Sequence, residues 1–232
     1  MRPVCVIPAR GGSKRIPRKN LEVIGDYSAV EHAVINALKS NLFDQVIIST
    51  DDAEIAEAAA KQGATFESFR PESLSGDYAT TLDVMAFEVE KAKAKFTNNR
   101  LFCCIYPMTP LLDYSHVAAG KTILENSEYD YVFSAIKGNL PIQRALIRTA
   151  EQGIKMLYGE NESVRTQDLE EHYFDAGQFY WGQERAWTAK RPILGGNSNI
   201  VVLDKYEVID VDDPQDLQMI RELYKMRNQE ER

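Results

Sequence analysis

The feature that most constrains this chain is an alternation of short apolar runs with segments of helical periodicity. Residues 4–9, 45–50 and 101–106 are apolar runs, two of them rich in β-branched residues, of the kind that form buried parallel strands. Residues 29–40 lie between the first two runs and place apolar side chains at helical spacing. Strands that alternate with helices predict an α/β fold of three layers, with a mostly parallel or mixed sheet between two layers of helices. Such sheets bind ligands at the carboxyl ends of their strands.

The same patterns predict the remaining elements. Further helices are expected at 53–62, at 81–96, after Pro110 and at 214–227. Further strands are expected at 65–69, 131–136, 178–181, 199–203 and 206–209. Between 137 and 173 the alternation stops, and no long helix is predicted there. We therefore interpret 137–173 as a small arm inserted into one domain that spans 1–232.

The charge of the chain is distributed unevenly. Its 232 residues include 27 Lys and Arg against 35 Asp and Glu, a formal net charge of −8. A negative average field disfavours nucleic acid and anionic membranes as partners. Nevertheless, five cations and no acid lie between Arg10 and Lys19. Because neighbouring cations repel one another, this segment is expected to hold a compact anion.

The spacing of the cysteines and the hydropathy of the chain indicate the cellular compartment. Cys5, Cys103 and Cys104 lie in predicted strands, and their spacing matches neither a disulfide framework nor a zinc site. The apolar runs are too short to span a membrane, and no signal-peptide core precedes Pro8. We therefore expect a cytoplasmic protein.

A basic loop that contains two glycines follows the first predicted strand directly. Its sequence, PARGGSKRIPRKN at 8–20, combines glycines that permit a close approach of the backbone with cations suited to phosphate oxygens. The spacing is neither that of a Walker A loop nor that of a GxGxxG fingerprint. The alternative is a solvated basic loop without a ligand. Because the cations surround glycines at a strand's carboxyl end, we favour a phosphate-binding loop.

This loop resembles the signature loop of the CMP-sugar synthetases, or acylneuraminate cytidylyltransferases, which join CMP to acidic keto-sugars. The similarity continues through STDD (49–52), RP (70–71), ATT (79–81), YPMTP (106–110), RTQDL (165–169), DAGQFYW (175–181) and IDVD (209–212). It implies a Rossmann-like nucleotide-diphospho-sugar transferase fold. It also implies attack of the sugar's anomeric hydroxyl on the α-phosphate of CTP, with release of pyrophosphate. DAGQFYW and the tyrosine before Pro107 favour pseudaminic acid, a nine-carbon acidic keto-sugar, as the substrate.

The resemblance implies a nucleotide site and a set of catalytic residues. The expected nucleotide-binding residues are Ala9, Arg10, Gly11, Gly12, Ser13, Lys14, Lys19, Asn20, Arg70, Ala79 and Thr81. Among them, Arg10, Ser13, Lys14 and Lys19 match positions that hold the triphosphate, and the last four match positions near the cytidine. Without the resemblance, Arg70 would be interpreted as a surface arginine. The residues expected to carry catalysis are Arg10, Lys14, Lys19, Asp210 and Asp212. No general base is assigned.

Asp210 and Asp212 are separated by one residue, Val211. If 209–212 formed a strand, both carboxylates would lie on one face and repel each other unless a cation lay between them. Hard oxygen ligands select Mg²⁺, and the resemblance implies a Mg²⁺ site at this pair. Asp213, next to Pro214, is expected to cap the last helix.

The sugar-binding residues that the resemblance implies are Tyr106, Arg165, Gln167, Tyr173 and Gln178. A planar guanidinium can pair with a carboxylate through two hydrogen bonds, so Arg165 is expected to hold the acid group of the sugar. The resemblance further implies that the arm at 137–173 forms a homodimer. Side chains of one subunit would then complete the sugar site of the other.

Two alternatives remain open at this point. The sugar could be sialic, legionaminic or a deoxyoctulosonic acid. The chain could also be a catalytically silent nucleotide-binding homologue, since Gly25-Asp26-Tyr27 replaces the family's usual Gly-Lys-Pro triplet. The retained pair of Asp210 and Asp212 favours an enzyme.

Overall fold

The computed structural model describes residues 3–93, 95, 101–150 and 152–230. The strands are β1 (Val4–Pro8), β2 (Val23–Ile24), β3 (Tyr27–Ser28), β4 (Gln45–Ser49), β5 (Leu101–Ile105), β6 (Tyr131–Lys137), β7 (Leu146–Arg148), β8 (Ile154–Met156), β9 (Tyr173–Gln183) and β10 (Ser198–Leu203). The α-helices are α1 (Ala29–Lys39), α2 (Ala53–Lys61), α3 (Thr81–Lys93), α4 (Tyr114–Glu125), α5 (Glu184–Thr188) and α6 (Pro214–Glu230).

Six strands form the central sheet, in the order β10-β6-β9-β5-β1-β4. β1 is parallel to β4 and β5, and β10 is parallel to β6. β9 runs antiparallel to both of its neighbours, β5 and β6. This sheet confirms the expected mixed, mostly parallel arrangement. The two short pairs, β2–β3 and β7–β8, are antiparallel hairpins outside it.

Both faces of the sheet are covered by helices. On one face, Cys5 and Ile7 of β1 pack with side chains of α1, α2 and α4, such as Val34. On the other face, Val6 of β1 packs with Met85 of α3 and with α5. Successive side chains of a strand point to opposite faces, so one apolar strand contributes to two cores. The three-layer α/β/α prediction is therefore confirmed.

A third apolar cluster joins the basic loop to the C-terminal part of the chain. Ile16 of the loop is buried against Ile24 of β2, Val211 and Leu217 of α6. Burial of apolar side chains is the main favourable term in folding. This cluster therefore fixes the position of the basic loop relative to the segment that carries Asp210 and Asp212.

Asp213 caps α6, as predicted. Its Oδ1 accepts hydrogen bonds from the backbone N–H groups of Gln215 at 2.7 Å and Asp216 at 3.0 Å. In return, Oδ2 of Asp216 accepts the N–H groups of Asp212 at 2.9 Å and Asp213 at 3.0 Å. These reciprocal bonds form a capping box. Asp213 is thereby engaged with the backbone of α6.

The prediction of a strand at 65–69 is wrong. Only Thr65 makes a bridge to the edge strand β4, at Ile47. The chain then leaves the sheet until the N–H of Arg70 donates to Thr50 O at 2.9 Å. The hydrogen bonds at Thr65 and Arg70 hold this segment as an extended connection beside β4. They are too far apart to form the regular hydrogen-bond ladder of a strand.

The prediction of a strand at 206–209 is also wrong, and 209–212 is not a strand either. Asp204 closes a turn here, because its Oδ1 accepts the N–H of Tyr206 at 2.9 Å and its carbonyl accepts that of Glu207 at 3.0 Å. Asp side chains favour such turns by bonding the backbone two residues ahead. The strand argument for Asp210 and Asp212 therefore fails, although their position in the cavity does not depend on it.

Other elements differ mainly in length. The predicted strand at 178–181 is the middle of the longer β9, and α5 was not predicted. α3 is described as far as Lys93, whereas the predicted end at Phe96 lies outside the described residues. In the part of the chain that the structure describes, no helix is long and apolar enough to cross a membrane.

Candidate active site

A cavity of about 770 Å³ lies at the carboxyl ends of β1, β5 and β6, beside Pro8, Tyr106 and Ile136. It contains twelve of the predicted site residues, which come from six separate parts of the chain. These are Arg10, Ser13, Lys14, Lys19, Asn20, Arg70, Ala79, Thr81, Tyr106, Gln178, Asp210 and Asp212. The other predicted residues, Ala9, Gly11, Gly12, Arg165, Gln167 and Tyr173, do not line it.

The glycines shape the basic loop from outside the cavity wall. A Cβ atom at Gly11 would lie 2.6 Å from Oδ2 of Asp52, so only glycine fits at this position. The N–H of Gly11 donates to Oδ1 of Asp51 at 2.9 Å. On the other side of the loop, Asn20 donates through Nδ2 to the carbonyl of Arg10 at 2.9 Å. Asp51 therefore holds the loop through Gly11, and Asp52 holds it by accepting a hydrogen bond from Nη2 of Arg18 at 3.1 Å.

Three loop cations are paired with carboxylates that also line the cavity. Nη1 of Arg10 lies 2.9 Å from Oδ1 of Asp77, and Lys14 pairs with the other oxygen of the same carboxylate. Nη1 of Arg15 lies 2.5 Å from Oδ2 of Asp212. Pairs between exposed side chains contribute little to stability. These cations can therefore exchange a carboxylate for a phosphate at small cost.

Lys19 is partly buried, whereas Lys14, Arg15 and Arg18 of the same loop are exposed. Its Nζ donates to the carbonyl oxygen of Val211. Burial lowers the pKa of Lys19, and the carboxylates of Asp210 and Asp212 oppose that shift. Lys19 thus places a positive charge between the basic loop and the two acids.

Asp210 and Asp212 line the same cavity as the loop cations, with the buried Val211 between them. No group of three His, Cys, Asp or Glu side chains suited to a metal occurs among the residues that the structure describes. Mg²⁺ needs no such group, because it is commonly held by one or two carboxylates together with substrate phosphates and water. Two carboxylates that line one cavity with the loop cations therefore offer oxygen ligands of the kind that Mg²⁺ prefers.

Arg70 forms part of the cavity wall, so its interpretation as a surface arginine is wrong. Its side chain is 4% exposed, and its Nε and Nη2 atoms have no hydrogen-bond partner. The carboxylate of Asp51 lies 3.8 Å away. Burial lowers the pKa of Arg70, and Asp51 opposes the shift. A buried guanidinium with free N–H groups is costly, so this side chain is suited to a ligand that accepts hydrogen bonds.

Two predicted residues from distant segments meet at the start of α3. Oγ1 of Thr81 and Oη of Tyr106 are 2.5 Å apart. Burial raises the pKa of Tyr106 to about 12. The phenol is therefore neutral at neutral pH and can act as a hydrogen-bond donor or acceptor.

The arm holds three of the five predicted sugar residues outside the cavity. Arg165 is 72% exposed, and its Nε donates to Oδ2 of Asp168 at 2.7 Å. Gln167 is exposed in the same turn. Tyr173 is also exposed, and its hydroxyl donates to Glu171 at 3.1 Å. Within one chain, the structure therefore does not bring these residues to the cavity.

Sequence reasoning missed two acids that line the cavity, Asp77 and Asp175. Asp77 lies in the exposed loop before α3, where periodicity carries no signal. Asp175 belongs to the DAGQFYW segment, but the resemblance implied no separate role for it. The altered Gly25-Asp26-Tyr27 triplet forms the β2–β3 turn, where Gly25 has a φ of 65° and packs against Tyr224. That turn does not line the cavity.

Comparisons with known proteins agree with this geometry. Residues 4–194 match the family model described as Cytidylyltransferase. The chain is 35% identical over 229 residues to pseudaminic acid cytidylyltransferase of Campylobacter jejuni subsp. jejuni serotype O:2, covering 99% of each chain. It is 36% identical over 212 residues to a Helicobacter pylori protein, covering 91% of this chain and 40% of that one. That protein is named pseudaminic acid cytidylyltransferase and UDP-2,4-diacetamido-2,4,6-trideoxy-beta-L-altropyranose hydrolase.

A solved structure shares the fold. CMP:2-keto-3-deoxy-manno-octonic acid synthetase, determined in complex with CTP, superposes with a TM-score of 0.70 at 15% identity. The superposition covers 98% of this chain and 100% of the other. The expected Rossmann-like fold and the family resemblance are thus confirmed. The chain belongs to the cytidylyltransferase family, whose members are nucleotidyltransferase enzymes.

Proposed function

We propose that this enzyme transfers CMP from CTP to pseudaminic acid and releases pyrophosphate. The observation that carries the proposal is a single cavity in which a basic glycine loop faces Asp210 and Asp212. The relatives from Campylobacter jejuni and Helicobacter pylori, named for this activity, support the choice of sugar.

The basic loop would hold the triphosphate. A triphosphate carries about four negative charges, and charge-assisted hydrogen bonds to Arg and Lys are of the strong kind. Arg10 and Lys14 would exchange Asp77 for phosphate oxygens, while Lys19 would contact them from the cavity floor. The cytidine would lie toward Arg70 and Thr81, with Asn20 and Ala79 beside them. The free N–H groups of Arg70 suit a base or ribose oxygen.

The chemical step would be an in-line displacement at the α-phosphorus. The oxygen of the anomeric hydroxyl forms a bond to phosphorus, and the bond from phosphorus to the bridging oxygen breaks. Pyrophosphate leaves with the electron pair of that bond, and the hydroxyl proton passes to solvent. The cations Arg10, Lys14 and Lys19 neutralise the charge that develops on the leaving group. Catalysis thus depends on positioning and preorganised charge.

Asp210 and Asp212 would hold Mg²⁺ against the phosphates. When bound, Mg²⁺ supplies positive charge to the phosphate oxygens and lowers the pKa of the attacking hydroxyl. Lys19 keeps the two carboxylates beside the loop, and Arg15 balances the charge of Asp212.

We place the arm at the cavity of a second copy of the chain, in a homodimer. Arg165, Gln167 and Tyr173 would there bind the sugar, with Arg165 on its carboxylate. Two observations support this placement. The three residues lie outside the cavity of their own chain. In addition, the β7–β8 hairpin exposes apolar side chains, with Leu146 at 57% and Ile154 at 69% exposure. Exposed apolar surface of this kind is typical of an interface.

A cytoplasmic location is part of the proposal. Its support is that the three cysteines are free and buried, which suits a reducing compartment. The proposed co-substrate, CTP, is a cytoplasmic nucleotide.

The test is pyrophosphate release by the purified chain with CTP, Mg²⁺ and a panel of sugar acids. The panel contains pseudaminic, legionaminic, N-acetylneuraminic and deoxyoctulosonic acid. We expect the highest kcat/KM with pseudaminic acid, and UTP serves as the nucleotide control. A higher kcat/KM with another acid would contradict the assigned sugar. CTP binding without turnover of any acid would instead indicate the silent homologue.

A further inference from the structure

A bulge in β9 turns part of the DAGQFYW segment toward the cavity. Between Asp175 and Tyr180, four residues of β9 lie opposite a single residue of β6, Ser134. The buried Oγ of Ser134 accepts the N–H of Gln178 at 3.1 Å. Gly177 has a φ of 59°, which favours glycine. Bulges next to active sites commonly redirect side chains, and this one places Asp175, Gly177 and Gln178 in the cavity lining.

The carboxylate of Asp175 is held in place by hydrogen bonds that leave some of its acceptor positions free. Its Oδ1 accepts the N–H of Gly177 at 2.9 Å. The hydroxyl of Tyr180 shares its one hydrogen between the two carboxylate oxygens, at 2.9 and 2.8 Å. A carboxylate offers about four acceptor positions, so capacity remains for a ligand in the cavity.

Asp175 differs from Asp77 and Asp212, two other acids of the cavity, in its charge balance. Asp77 and Asp212 each pair with a cation of the basic loop. By contrast, no ion pair between Asp175 and a Lys or Arg is found within the described ranges. An uncompensated carboxylate repels phosphates and the sugar's own acid group, and it attracts neutral donors. An acidic sugar bound here would therefore have its own carboxylate directed away from Asp175.

The surroundings of Asp175 indicate the type of donor. Ile136, Ala176 and Val208 form an apolar part of the same cavity. An acylamido substituent can place its N–H on the carboxylate and its alkyl group against these side chains.

From these contacts we infer that Asp175 determines sugar specificity by accepting a hydrogen bond from a neutral donor of the keto-sugar, foremost an amide N–H. Tyr180 and the bulge at Gly177 act through Asp175 and are positioning residues. This inference rests on the proposed function and adds to it a residue for recognition of the second substrate.

The test compares Asp175→Asn, Asp175→Ala and Tyr180→Phe with the wild-type enzyme, and Glu57→Gln on α2 is the control. Asparagine keeps an oxygen for Gly177 and Tyr180, so this variant separates loss of charge from loss of fold. The KM for sugar, the KM for CTP and kcat are measured separately. We expect the KM for pseudaminic acid to rise about tenfold or more in the Asp175 variants and severalfold in Tyr180→Phe. The KM for CTP should stay within about twofold of wild type, and kcat should change little.

Three outcomes would overturn the inference. One is an unchanged sugar KM in folded Asp175→Ala. Another is a large fall in kcat at constant sugar KM, which would assign Asp175 to the chemical step and not to recognition. The third is a wild-type enzyme that turns over no sugar acid of the panel, which would overturn the proposed function together with the inference.

Discussion

The two ends of the cavity are built in different ways. At the proposed nucleotide end, Arg10, Lys19, Arg70 and Asp210 come from distant segments and converge within one chain. At the proposed sugar end, the same chain supplies Tyr106 and Gln178 together with Asp175, while the predicted arm residues lie outside.

This difference follows from what holds each end in place. The basic loop is fixed by the cluster around Ile16 and by the bonds from Asp51 and Asn20. The arm consists of a short hairpin and single turns, and it exposes apolar side chains, so we expect its position to depend on what it packs against. Binding of CTP should therefore be a property of one chain, and binding of the sugar a property of two.

The largest expected effect concerns the acid pair at the nucleotide end. Replacing both residues, Asp210→Ala with Asp212→Ala, should lower kcat/KM about a thousandfold, because the carboxylates proposed to hold Mg²⁺ are lost. Pyrophosphate release is measured across a Mg²⁺ titration. Asp213→Asn is the matched control, since asparagine also caps helices, and it should retain activity. Activity of the double variant near that of wild type would exclude the metal role of the pair.

The second effect concerns the sugar end. Arg165→Ala should raise the KM for sugar about tenfold to a hundredfold, because a bidentate pair with the sugar carboxylate is lost, and should leave the KM for CTP unchanged. Arg148→Ala, at another exposed arginine of the arm, is the control.

Mixing Arg165→Ala with the double Asp variant then tests whether Arg165 acts across subunits. A mixed dimer would contain one intact site, so activity should return on mixing. If activity at low sugar concentration does not rise above that of the separate variants, Arg165 does not reach the cavity of a second copy.

The third prediction distinguishes a role of Arg70 in CTP binding from a role in the stability of the fold. Arg70→Met should raise the KM for CTP about tenfold, because a charged donor to the nucleotide is lost. The free energy of unfolding should be unchanged or higher, since a buried charge without hydrogen bonds at Nε and Nη2 is replaced by an apolar chain. The comparison is Arg191→Met, which removes two 2.8 Å contacts to Asp130. That variant should lose about 2 kcal/mol of stability and keep its KM for CTP. A loss of stability in Arg70→Met with an unchanged KM for CTP would instead make Arg70 a structural residue.

The smallest effect concerns Asp77, which pairs with Arg10 and Lys14. Asp77→Asn should lower the KM for CTP about twofold to fivefold, because the carboxylate no longer competes with phosphate for these exposed cations. The gain should shrink at high ionic strength, where such pairs are screened. Glu72→Gln in the same exposed region is the control. A higher KM in Asp77→Asn would mean that Asp77 positions the cations for CTP.

Sequence reasoning located the parts of the site that are local in the chain. The basic loop, the cap at Asp213 and the apolar strands β1, β4 and β5 follow from short patterns, and the structure contains all of them. The parts that depend on distant contacts were missed. Neither the bulge that directs Asp175 into the cavity nor the pairing of Asp77 with the loop has a periodic signal. The predicted strand at 206–209 failed because Asp204 bonds its own backbone and closes a turn.

The central claim is that the sugar's anomeric oxygen attacks the α-phosphorus of CTP within this cavity. The most direct measurement uses pseudaminic acid that carries ¹⁸O in its anomeric hydroxyl, with products analysed by mass spectrometry. The account predicts that the label stays in the CMP-sugar and that the pyrophosphate contains none. Label in the pyrophosphate, or free CMP and pyrophosphate without a CMP-sugar, would contradict it.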